Sequence, residues 1–175
     1  MSFEGAKVNK LNGGLNRESG AKERVIVLIG GATATLQLLH KKVYELVDIK
    51  AVEALGVTAA SDANNTEMIY YHLSEMFRLS PGATFYFIPV DKTITTAALV
   101  ADNEILSAIR SIKNVNVIGI AGIASSTIDV INVDVLALQG MVNDFAEEHL
   151  LIDGVFLEGQ AKTFAKDFFS LRVDI

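Results

Sequence analysis

The sequence contains no cysteine. That excludes a disulfide framework and every form of thiolate chemistry, and it fits a reducing compartment. A membrane-length apolar run is also missing, although the mean hydropathy of +0.35 is high. The stretch from Asn114 to Ile128 carries no charge, but Asn114, Asn116, Ser125, Ser126, Thr127 and two glycines interrupt it. It falls short of the roughly 20 apolar residues a spanning helix needs, so no membrane span is expected. Glu4 comes early and no continuous apolar stretch follows it, so the amino terminus does not read as a signal peptide. Charged residues are sparse, at 21% against 50% hydrophobic. In 175 residues this balance predicts one folded domain with a substantial core rather than a disordered chain.

The charges are unevenly spread. Residues 1–50 hold eight Lys/Arg against five Asp/Glu, a balance of +3, while residues 51–175 hold seven against sixteen, a balance of −9. A basic front on an acidic body lacks the concentrated basic face that phosphate binding requires, so no nucleic-acid partner is expected. The asymmetry suits either head-to-tail contact between copies or simply solvated faces.

From Arg24 onward, strand-like and helix-like segments alternate. "RVIVLIG" (Arg24 to Gly30) is a buried-strand run stopped by Gly30-Gly31, and "VYELV" (Val43 to Val47) reads as a more exposed strand. Asp48 suits an N-cap for "IKAVEALG", with Gly56 closing the helix. Asn65 is the expected cap of a longer helix carrying Ile69, Leu73, Met76 and Phe77, ended by Pro81-Gly82. "ATFYFIPV" (Ala83 to Val90) reads as a strand ended by Pro89. "DNEILSAIRSI" is an amphipathic helix with Ile105, Ile109 and Ile112 on one stripe. "NVNVIGIAGI" is a third buried strand. A long helix starting at Asn132 or Asp134 runs to about His149, with Val135, Leu138, Val142 and Phe145 three and four apart. "DGVFLEG" (Asp153 to Gly159) closes the series, and Phe164, Phe168 and Leu171, spaced i, i+4, i+7, suit either a final helix over the core or contact with a partner. Strands separated by helices imply βαβ crossovers. The expected architecture is a three-layer α/β domain over residues 25–175, with a mostly parallel sheet flanked by helices, preceded by an extended arm and linker over residues 1–24.

Such a sheet invites a search for ligand loops beyond its strand ends. "IGGATAT", after Ile29, is glycine-rich but lacks both G-x-G-x-x-G and the Gly-Lys-Ser/Thr that reaches a β- or γ-phosphate. "GIAGIASST", around Ile120, offers backbone donors and hydroxyls for an anion, with a tight turn as the plainer reading. A small α/β enzyme or nucleotide-binding domain using these two loops is the alternative function. Asp62, Asn64 and Thr66 have the odd spacing of a calcium loop, but the required glycine is missing and Leu73 stands where a bidentate Glu belongs, so no metal is expected. Glu147, Glu148 and His149 are consecutive and project in different directions, and a place at the helix's C-terminal end explains His149. Nothing sets His40 or His72 beside a serine nucleophile. No catalytic residue, metal ligand or cofactor site is assigned, and the chain reads as a non-enzyme.

"KVNKLNGGLNRESG", "VYELVDIKAVEALGV" with "YYHLSEMFRLSPGATFYFIPV", and "VNVIGIAGI…LQGMVNDFAEEHLLIDGVFLEG" resemble, in that order, segments of the sheath proteins of contractile phage tails and related injection machines. The likeness runs from about Phe3 to Gly159 and rests on segment order and character rather than on an invariant motif. It implies a structural subunit without enzymatic activity that polymerises head to tail in helical rings around a tail tube. The implied location is a virion tail assembled in the host cytoplasm, with the tube protein as a further partner. The family's members are typically longer, with an additional C-terminal domain, so this chain is expected to be a shorter relative or a piece of such a protein. The resemblance also implies a role for the arm, since sheath subunits are linked by extended termini added to neighbouring sheets. In "FEGAKVNKL", Phe3, Ala6, Val8 and Leu11 would make the apolar contacts and Gly13-Gly14 the hinge. Folding back on its own domain is the other reading of the same arm.

Overall fold

The structure, a computed structural model, describes residues 25–124, 131–158 and 171–173. The strand-forming stretches are runs of aliphatic, β-branched and aromatic residues, which suit a pleated surface buried on both sides. They form β1 (Val25–Gly31), β2 (Tyr44–Leu46), β3 (Phe85–Val90), β4 (Val115–Ala121), β5 (Gly154–Leu157) and β6 (Leu171–Val173). One sheet in the order β2-β3-β1-β4-β5-β6 results, with β3, β1, β4 and β5 parallel and a three-residue antiparallel strand at each edge. The α/β reading with a mostly parallel sheet between helices therefore holds.

The helices are α1 (Ile49–Ala54), α2 (Ala59–Asn65), α3 (Ile69–Leu79), α4 (Thr96–Ala101), α5 (Asn103–Ser111) and α6 (Ile131–Glu147). Asp48 caps α1 by accepting from Ala51 N, and Gly56 follows with φ of +81°, a left-handed turn that glycine enters without a Cβ penalty. Asp102 caps α5, whose Ile105 and Ile109 are buried. His149 lies just past α6 with φ of 65°, its N–H donated to Ala146 O.

Three expectations need correction, and one helix, α4, was not expected. Asn65 caps nothing; it is the last residue of α2, and α3 starts at Ile69 after Met68. Pro89 does not end β3, which continues to Val90. Its missing N–H faces the β2 side, where β2 has already ended opposite Phe87 and where Pro89 O accepts from Lys41 N instead. Helix α4 fills a stretch with no clear helical period and is nucleated by the Thr95 side chain on Ala98 N. Leu171 belongs to β6, paired with Leu157, not to a helix; Phe164 and Phe168 lie outside the described residues.

The two faces of the sheet are covered unequally. Val27, Ile29, Ile118, Ile120, Val155 and Leu157 point to one face, under Leu99 of α4, Ile105 and Ile109 of α5, and Leu138, Val142 and Phe145 of α6. Each such fully buried side chain stabilises the fold by roughly 1.5–3 kcal/mol. Leu28, Phe87 and Ala121 point to the other, under Val52 of α1 and Ile69 and Leu73 of α3. A helix about 10 Å wide covers about two strands at their ~4.8 Å spacing. Helix α3 lies over β1 and β3, so Val117 and Gly119 of β4 and Phe156 of β5 are left half-buried. Between that strip and Met76 and Leu79 of α3 is an apolar groove with a cavity of about 270 Å³.

Candidate functional site

In an open parallel sheet the expected ligand crevice lies beyond the carboxyl ends of the strands where the order reverses. Here that point falls between β1 and β4, because β3 lies on one side of β1 and β4 with β5 on the other. The two glycine loops singled out in the sequence therefore do meet. They meet too closely to leave a crevice between them: a Cβ on Gly31 would stand 1.9 Å from the Gly122 carbonyl oxygen and 2.9 Å from Lys92 Cα. Gly122 itself has φ of +66°. Glycine is needed at Gly31 for close backbone approach rather than to wrap a phosphate.

The backbone donor that an anion would use is taken by a carboxylate of the chain. Gly122 N donates to Glu158 Oε2 at 2.8 Å, while His72 Nε2 lies 3.1 Å from Glu158 Oε1. Glu158 stands just past β5 and His72 in the first half of α3, so the pair ties the end of one parallel strand to the helix over two others. The His72 contact holds the Glu158 carboxyl below its ordinary value, helped by the Gly122 N–H and opposed by burial. An incoming phosphate would have to displace Glu158 to reach that donor.

A second polar group lies across the same end of the sheet. Glu67, its carboxylate almost wholly shielded, accepts from the Thr33 hydroxyl at 2.5 Å and stands 3.8 Å from Lys92 Nζ. Lys92 Nζ also donates to Asn65 O at 2.9 Å. The lysine next to the "GGAT" loop is thus engaged with α2 and its following turn. Asp62, 8% exposed, accepts from Tyr71 N at 3.1 Å, placing its charge at the start of α3 where the helix dipole favours it. Its Oδ1 has no hydrogen-bond partner among the described residues. His40 Nε2 donates to Ala32 O at 2.7 Å, which sets its tautomer and pins the loop after β1.

No family model, curated protein or solved structure matches the chain.

Apart from Asp62 Oδ1, the groups of the site are paired with groups of the chain, and His40, His72 and the acidic residues are spread over separate elements. Among the described residues no three of His, Cys, Asp or Glu converge as metal ligands. Glu148 pairs with Arg110 at 2.6 Å rather than with His149. Of the residues expected to act in assembly, Phe3, Ala6, Val8, Leu11, Gly13 and Gly14 lie outside the described residues, as do Ser125, Ser126 and Thr127 of the second loop. The point at which the chain enters β1 is placed, however. Val25 N donates to Asn116 Oδ1 at 3.2 Å, and Asn116 also bonds Asp153, so the chain enters β1 at a fixed point beside Val117. Sequence reasoning missed this juxtaposition of arm root and apolar groove. Val25 and Asn116 are 91 residues apart, so no local pattern signals it.

Proposed function

We propose that this chain is a structural subunit of a contractile tail sheath, assembling head to tail in helical rings around a tail tube, and that it is not an enzyme. The observation that carries the reading is the contrast between the two ends of the sheet. At the carboxyl end, backbone contact and Glu158 occupy the place of a small ligand. At the amino end, an apolar groove lies open beside Val25, where the chain enters the sheet after its first 24 residues. Open apolar surface of this kind serves protein contact. The segment-by-segment resemblance to sheath proteins supplies the particular machine, its location in a virion tail and its tube partner. No helix among the described residues is long and apolar enough to cross a membrane.

The test is negative-stain electron microscopy of the purified protein over a range of concentration and salt, with light scattering to count subunits. Rings, tubes or stacked helical segments are expected from an interface that does not close on itself. Deleting residues 1–14 is expected to weaken that association while circular dichroism of the α/β domain stays unchanged. A monomer at every concentration, together with thermal stabilisation by a nucleotide, would instead favour the ligand-binding alternative at the loops after Ile29 and Ile120.

A further inference from the structure

We propose that in the free subunit the groove beside α3 is filled by the chain's own arm, with Phe3 as the anchor and Val8 and Leu11 covering the rest of the strip. The inference concerns the unassembled subunit and stands whether or not copies go on to polymerise.

Three observations carry it. The first is the shape of the receptor: Ile26, Met76, Leu79, Val117, Gly119 and Phe156 make a nearly wholly apolar lining, and Leu79 is 69% exposed with nothing described to cover it. A dry cavity of about 150 Å³ already accepts a benzene ring. The 270 Å³ here has room for a phenyl ring and an aliphatic side chain together.

The second is position. The arm leaves the fold at Val25, clamped by Asn116, next to Ile26 and Val117 in the groove wall. The segment 159–170 leaves and re-enters the sheet at the Leu157–Leu171 pair, on the carboxyl side of Phe156, whereas the arm enters beside Ile26 and Val117 at the amino side of the groove.

The third is tether length. Between Leu11 and Val25 the linker reaches at most about 50 Å, with a typical span of about 20 Å for flexible chain. Such a tether holds the arm at an effective concentration in the millimolar range. A second copy at micromolar concentration is therefore outcompeted until copies are packed side by side. If subunits assemble as proposed above, the same segment is then available to exchange into a neighbour's groove, the low-cost route of swapping one identical element for another.

The experiment uses the full chain with a nitroxide on Asn9→Cys, the sole thiol in a cysteine-free background, at a concentration where light scattering reports a monomer. The expected result is at least several-fold broadening of the Ile26, Val117 and Phe156 amide signals relative to Leu36 and Leu99. Tenfold dilution should leave it unchanged, and adding Phe3→Asp to the labelled chain should abolish it. Broadening of isotope-labelled, nitroxide-free chains by spin-labelled copies would assign the groove to a second copy and overturn the proposal. So would groove amides whose positions do not move on deletion of residues 1–14, which would leave the groove to another occupant. Because the measurement is made below the assembly threshold, its failure leaves the microscopy test of the sheath reading intact.

Discussion

The two faces of the sheet are built from equally apolar strands yet end in different states. Under α4, α5 and α6, Phe145, Leu138, Ile118 and Val155 are sealed to 1% exposure or less. Under α3, the strip of Val117, Gly119 and Phe156 stays half-open. The strands do not cause the difference. Two helical crossovers pack on one face and a single crossover carries α3 on the other, so coverage follows connectivity. A sheet face short of one helix leaves apolar surface open, and the chain enters the sheet at Val25 beside it.

The largest effect is expected where the carboxyl end is sealed. Gly31→Ala forces a Cβ into the Gly122 backbone, which cannot yield as a side-chain tip would. A loss of more than about 4 kcal/mol, or failure to fold, is expected in denaturant titration. A mild effect would mean the two loops separate easily and that a ligand crevice opens between them. Next comes the closed face: Phe145→Ala leaves a cavity and removes the ring 5.1 Å beneath the Arg110 guanidinium, at an expected cost of about 3–4 kcal/mol.

Glu158→Gln tests the polar clamp and should cost about 1 kcal/mol at neutral pH, given its partial exposure. Because the folded carboxyl titrates below its ordinary value of 4.5, its contribution is complete above that value and fades as pH falls through the lower, folded one. The variant's stability should therefore fall less steeply with acidification below pH 4.5 than the parent's. The smallest effect sharpens the contrast between the faces most. Val117→Asp should destabilise the full chain by about 0.5–1 kcal/mol more than it destabilises a chain lacking residues 1–14. Equal losses in the two backgrounds would mean that the arm does not reach the strip.

Where hydrophobic period and element agreed, the fold was legible in the sequence: β1 and β4 as aliphatic runs, α5 from Ile105 and Ile109, α6 from Leu138, Val142 and Phe145. Helix α2 was not, because "AASDANN" has no apolar stripe and its one buried residue is Asp62. Strand β6 was misread because Leu171 falls at helical spacing from Phe164 and Phe168, while its partner Leu157 lies on another segment. At the candidate site the glycine loops were visible as a composition, but their mutual contact was not. Glu158 and His72 are 86 residues apart in sequence, and no local pattern reports a pairing at that range.

The placement of β1 has a mechanical consequence. The first described strand is the central one, hydrogen-bonded along its length to β3 on one side and β4 on the other, both parallel to it. Tension applied to the chain before Val25 would draw β1 lengthwise between its neighbours. Both ladders would then bear the load at once in shear, rather than opening rung by rung as an edge strand would when peeled. A chain anchored in this way can transmit a pull to its whole domain before any part of the sheet gives.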